Sequence, residues 1–280
     1  MALANWTYGN DSNFPDCAFQ NLFAETPINS AMELIFPTTT SNNCYKNMFD
    51  KCDKLISAPA LPAISLSNNC YDGMFQGCAS LARAPELPAT SLADYCYSNM
   101  FNGCSSLTAA PALPVTNLTS NCYNSMFRDC ASLTQAPELP ATTLTDYCYS
   151  DMFQGCTSLT AAPALPAWTL GTYCYTSMFQ GCTSLTTAPA LNARELTNFC
   201  YAYMFSNCTS LTQAPNLSAP WTLAKNCYVS MFSNCTSLTT PPELPATTLT
   251  DYCYSWMFSG CSSLTQAPTL PATTLANYCY

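Results

Sequence analysis

The cysteines of this chain keep time. Cys44, Cys70, Cys96, Cys122, Cys148, Cys174 and Cys200 follow one another every 26 residues; Cys227 comes after 27, then Cys253 and Cys279 after 26. A second cysteine stands eight residues after each of the first nine, from Cys52 to Cys261. Such a period marks a repeat array, in which one unit is too small to bury a core and must stack on its neighbours. Aligned on the first cysteine as position 1, the unit reads C-Y-x-x-M-F-x-x-C-x-S-L-T-x-A-P-x-L-P-A-T-x-L-x-x-Y. The one-residue insertion falls in Asn216-Leu217-Ser218-Ala219-Pro220-Trp221, where the loop motif is also degraded.

Within the unit, Asn68, Asp94, Ser120, Asp146, Thr172, Asn198, Asp251 and Asn277 stand two residues before the first cysteine, with Lys225 the exception. These are N-cap residue types. Position 8 holds Gly77, Gly103, Gly155, Gly181, Gly260, Asn207, Asn234 and Asp129, which tolerate the left-handed backbone that ends a helix. Cys148, Tyr149, Met152 and Phe153 would share one face of the two-turn helix between these marks. The run C-x-S-L-T-x-A then predicts one short strand, stopped by proline at position 16, and P-x-L-P-A-T-x-L an extended return path. The expected fold is an α/β repeat: a leucine-rich-repeat solenoid with one short parallel strand plus a short helix per 26-residue unit. Residues 1–43 carry a degenerate repeat (Cys17-Ala18-Phe19, Leu22-Phe23) and predict an N-terminal cap. Residues 44–280 hold nine 26/27-residue units and the start of a tenth.

The string Met152-Phe153-Gln154-Gly155-Cys156-Thr157-Ser158-Leu159-Thr160, followed by Leu-Pro, resembles BspA-like (treponemal-type) leucine-rich repeats, whose core is a similar A-F-x-x-C-x-x-L-x-x-I-x-I-P. The resemblance spans residues 44–280. It implies a curved parallel-sheet solenoid with a surface-associated, often adhesive role. The unit here is a few residues longer, and Ala-Pro replaces the family's isoleucine.

The cysteines admit three readings. Zinc sites use closely spaced C-x2–4-C pairs, often with histidine, whereas the spacing here is C-x7-C and there is no histidine. Disulfides within a unit would explain why the two cysteines occur together. Across a helix, however, they would lie about 10 Å apart at about 1.5 Å per residue, beyond the roughly 7 Å a disulfide spans. The third reading, two ladders of buried thiols, treats cysteine as a small hydrophobe.

Only 8% of residues are charged, and the net charge is −9. That excludes nucleic acid, which needs clustered Lys and Arg, and a polybasic membrane anchor. No apolar run reaches the roughly 18 residues of a membrane span, and Met1-Ala2-Leu3-Ala4-Asn5-Trp6 lacks the pattern of a signal peptide. Without histidine no Ser–His or Cys–His pair can form, and Glu86, Glu138 and Glu243 fall in non-adjacent units, so no enzyme and no cofactor is expected. Exposed ligand contacts are expected from Arg83, Gln135, Gln213 and Gln266 at position 14, from Glu86, Glu138 and Glu243 at position 17, and from Trp168, Trp221 and Trp256, with Tyr203 beside them. The expected function is a non-catalytic binding or adhesion solenoid for protein or glycan ligands, at a cell surface or on a virion. The alternative is a structural protein that self-associates end to end, because the sequence stops two residues into a tenth unit.

Overall fold

The computed structural model describes residues 15–193, 195–217 and 223–280. Successive units stack in register and in parallel, as the period requires. The expected helix is absent: no α-helix occurs among the described residues. In its place runs a series of overlapping four-residue turns. In the third unit the N–H groups of Cys96, Ser98, Met100, Asn102 and Cys104 donate three residues back, to the carbonyls of Ala93, Tyr95, Tyr97, Asn99 and Phe101. The alternate N–H groups, of Tyr95, Tyr97, Asn99, Phe101 and Gly103, donate at 2.7–3.1 Å to Ser120, Cys122, Asn124, Met126 and Arg128 of the next unit.

The backbone explains the correction. Every fourth residue of the run takes a left-handed φ: Tyr95 58°, Asn99 53° and Gly103 77°, then Asn121 57°, Ser125 54° and Asp129 57°. One such residue in four cannot enter an α-helix, whose ladder needs right-handed residues throughout. The position-8 residues do adopt the conformation expected of them, but positions 26 and 4 share it. The expected N-caps have no helix to cap. Their side chains instead accept from the same position of the next unit: Asp94 N–H donates to Asn68 Oδ1 (3.2 Å), Ser120 to Asp94 (3.0 Å), Thr172 to Asp146 (2.7 Å) and Asn277 to Asp251 (3.1 Å).

The expected strand contracts to single parallel pairs. One column joins position 14 in Arg83, Ala109 and Gln135, and again in Ala161, Thr187, Gln213 and Thr240. A second joins position 22 in Ser65 with Ser91, Thr143 with Thr169, and Thr248 with Thr274. Proline at position 16 explains why neither column widens: it has no N–H to extend a ladder.

Positions 1, 2, 5, 6, 9 and 12 all point inward, and Cys, Tyr, Met, Phe, Cys and Leu at these positions of the interior units are at most 3% exposed. Each type stacks on itself. The tyrosine rings run from Phe19 through Tyr45, Tyr71, Tyr97 and Tyr123 onward at 5.5–6.0 Å. A phenylalanine column runs beside them from Phe23 through Phe49, Phe75 and Phe101 at 5.5–5.7 Å. Thus Phe19 and Phe23 of the degenerate segment extend both columns, and its turns carry the same left-handed residues at Cys17, Asn21 and Glu25. At about 1.5–3 kcal/mol per large apolar side chain buried, these columns are what favours stacking.

All cysteines are free thiols. Each second thiol donates to the phenylalanine carbonyl of the preceding unit: Cys78 to Phe49, Cys104 to Phe75, Cys130 to Phe101 and Cys156 to Phe127, each at 3.1 Å. Each first thiol lies beside its counterparts above and below; Cys96, for example, faces Cys70 and Cys122. The two cysteines of a unit therefore belong to separate columns. A run of turns lies between them, where a helix was expected. Burial pushes the thiols of Cys70, Cys104, Cys122, Cys156, Cys200 and Cys235 up to about 12, from an ordinary 9.0.

Candidate binding face

The inward positions are nearly constant from unit to unit, so any individuality must lie outside. Left-handed positions 26, 4 and 8 form three columns along the turn runs, position 4 being buried where it holds Gly73, Ser125, Ser177 or Ser230. Asn, Gly, Ser and Asp fill most of them, as the steric cost of this conformation favours. Eight aromatic residues do not fit that rule: Tyr95, Tyr147, Tyr173, Phe199, Tyr203, Tyr252, Trp256 and Tyr278 all have φ between 49° and 58°. A bulky side chain in this region costs about 1–2 kcal/mol. Asn43, Asn69, Asn121 and Asn226 occupy the same column at little cost.

Four of these aromatics make one patch. Tyr147 stacks on Tyr173 at 4.6 Å and Tyr173 on Phe199 at 4.5 Å, closer than any pair in the core columns. Tyr203 lies four residues beyond Phe199 in the same run and is 37% exposed. Stacking returns about 0.5–1.5 kcal/mol per pair, less than the strain of three such residues. Gly171 accompanies the close approach: a Cβ there would lie 2.3 Å from the Thr145 carbonyl carbon. Only a glycine lets this backbone seat against the Thr145–Asp146 peptide. Tyr252 and Tyr278 form a second stack at 5.0 Å, with Trp256, 73% exposed, four residues after Tyr252.

The charges of the four-ring patch are all acidic. Along its three turn runs, residues 146–155, 172–181 and 198–207, the charged side chains are Asp146 and Asp151. Burial raises the Asp151 carboxyl above its usual range, against the hydrogen bond from Ser150 and the charge of Arg128 on the preceding rung. Partial burial, with Tyr173 and Asp146 alongside, also raises the Tyr147 phenol. Its surroundings are neutral hydrogen-bonding groups: Thr172, Thr176, Asn198 and Asn207, with Gln154 donating to Gln180.

The residues expected from sequence are dispersed. Arg83, Gln135, Gln213 and Gln266 are exposed at position 14, and Arg83, Ala109 and Gln135 pair in one column. Glu86 and Glu138 are exposed in two equivalent shallow grooves between units, lined by prolines such as Pro62, Pro85 and Pro88 or Pro114, Pro137 and Pro140. Glu243 is exposed in the eighth unit. Trp168 is 53% exposed at position 21, Trp256 belongs to the second aromatic stack, and Trp221 lies outside the described residues. These side chains do not converge on one site. Among the described residues no cluster of three or more His, Cys, Asp or Glu is placed to hold a metal, and no helix is long and apolar enough to cross a membrane.

The profile of the BspA type leucine rich repeat region matches residues 12–134, 97–212 and 175–280. The chain belongs to the BspA-type leucine-rich repeat family. No curated protein matches it significantly. Two solved structures are similar. One is a leucine-rich repeat protein from Bacteroides ovatus, with 18% identity over 94% of this chain and 78% of that one and a TM-score of 0.40. The other is a leucine rich cell surface protein from Faecalibacterium prausnitzii, with 17% identity over 89% and 80% and a TM-score of 0.35.

Within this BspA-type solenoid, the residues that sequence reasoning missed are Tyr147, Tyr173 and Phe199. Position 26 had been absorbed into the consensus as tyrosine. Yet it alternates between Asn and an aromatic, and three successive aromatics occur only where the patch forms.

Proposed function

We propose that this chain is a non-catalytic adhesion module, presented at a cell surface, whose turn-run face engages an extracellular ligand. The observation that carries the reading is the surface stack of exposed Tyr147 with half-buried Tyr173 and Phe199 on strained left-handed backbone. Strain that stability does not demand points to a function, and exposed aromatics are the side chains that most often anchor a partner. The family resemblance supports a surface-associated, adhesive role. The test is retention of beads coated with the chain on immobilised panels of extracellular-matrix proteins and glycans. Retention that falls when Tyr173 and Phe199 are both replaced by Asn supports the reading. Equal retention of the chain and of bare beads on every surface refutes it.

A further inference from the structure

We infer that the ligand of the four-ring patch is a neutral, unbranched glycan chain lying along the solenoid axis; this rests on the adhesion reading above. Three features of the face choose between ligand classes. The first is charge. The three turn runs carry carboxylates and no cation of their own; the flanking rungs hold one each, Arg128 acting on Asp151 and Lys225 next to Asn198, so no Lys or Arg lies among the rings to meet phosphate, sulfate or uronate groups.

The second is the state of the backbone. On this face the N–H groups of positions 26, 2, 4, 6 and 8 donate to the next unit, as Tyr147 to Thr172 (3.0 Å) and Tyr173 to Asn198 (3.1 Å), and the alternate N–H groups close their own turns. A peptide strand adding to a sheet needs a row of unpaired backbone donors and acceptors, and this row is already paired along the axis. Ring spacings of 4.5 and 4.6 Å also leave no gap into which a peptide side chain could insert.

The third is periodicity. The patch repeats an aromatic ring once per rung at about the 4.8 Å spacing of paired strands, flanked by the Asp146 carboxylate on the first rung and by the neutral Thr172 and Asn198 on the next two. An extended chain of β-linked pyranose rings advances by a similar distance per sugar and offers C–H faces to rings and hydroxyls to Thr172 and the Asn198 carboxamide, while Thr176 and Asn207 are engaged within the protein. A ligand that meets one rung therefore meets the next in the same register.

The experiment is isothermal titration calorimetry of the whole chain with neutral β-linked gluco- and xylo-oligosaccharides of increasing length, and with polygalacturonate as the anionic control. The expected result is affinity that tightens with each added sugar and levels off at about three sugars, one for each of the three rungs of the patch at about 4.8 Å per rung. A variant with Tyr173→Asn and Phe199→Asn, residues that the column already accommodates elsewhere, should keep its circular dichroism spectrum and bind at least about tenfold more weakly. The inference is overturned if no neutral chain binds, if affinity ignores length, if polygalacturonate binds as well, or if the folded double variant binds unchanged. Retention of coated beads on matrix proteins together with silence towards all glycans would overturn the glycan assignment and leave the adhesion reading standing.

Discussion

Raising the pH should unfold this protein through its cysteines. A thiol whose folded value is raised stays protonated in the native state while the unfolded chain loses protons, so its contribution is complete below the unfolded value of 9.0 and is lost as pH climbs towards the folded value of about 12. At pH 10 each such thiol withdraws about RT ln 11, or about 1.4 kcal/mol. Cys70, Cys104, Cys122, Cys156, Cys200 and Cys235 share this shift. Together they remove about 8 kcal/mol, comparable with the roughly 5–15 kcal/mol by which domains are stable. The buried tyrosines, also pushed upward by burial, add to the loss at higher pH. The assay is urea denaturation followed by far-ultraviolet circular dichroism at pH 7, 9 and 10, with a reductant present. The midpoint should already fall by pH 9, where each thiol withdraws about RT ln 2 and the six together about 2.5 kcal/mol, and collapse by pH 10. An unchanged midpoint at pH 10 would refute the reasoning, because unfolding would then release no protons from these thiols.

Gly171→Ala should lower stability by about 1–3 kcal/mol, read as a shift in the urea midpoint, because its Cβ meets the Thr145 and Asp146 backbone rather than a flexible side chain. The two cysteine columns should answer differently to serine: Cys130→Ser keeps a donor for the Phe101 carbonyl and should cost less than Cys130→Ala, whereas Cys122→Ser should cost about 1–3 kcal/mol and more than Cys122→Ala. Iodoacetamide at pH 8 on the native chain should give one fast adduct, at exposed Cys17, with half-buried Cys261 next and the others reacting only after unfolding; mass spectrometry of tryptic peptides checks the order.

The stacking of units was legible because cysteines recur at fixed intervals, and the inward columns because Cys, Tyr, Met, Phe and Leu recur with them. The helix was misread for a specific reason. Positions 1, 2, 5, 6 and 9 suit both a 3.6-residue helix and a four-residue turn repeat, and eight residues are too few for the two periods to separate. What distinguishes them is Asn69-x-x-x-Gly73-x-x-x-Gly77, three residues fit for left-handed backbone at a spacing of four. Only the last had been taken as a signal, since one such residue ends a helix and three abolish it. The face was less legible. Arg83, Gln135 and Glu138 are exposed as their polarity suggests, but the Tyr147–Tyr173–Phe199 stack depends on neighbours 26 residues apart and on Gly171, whose role is steric and invisible in composition.

The one-way hydrogen bonding of the turn runs also gives the molecule an electrical direction. In every described rung the alternate amides point their N–H groups towards the unit that follows and receive none in return along that face. Aligned peptide dipoles add, as they do in a helix. In a helix the N–H groups point back towards the amino terminus and make that end positive. Here they point forward, so the positive pole lies in the direction the chain is running. Amides elsewhere in the unit, such as Thr108 to Ala82 and Thr186 to Thr160, point back and offset part of it, so this dipole belongs to the turn-run face, where each added unit lengthens it without a charged residue.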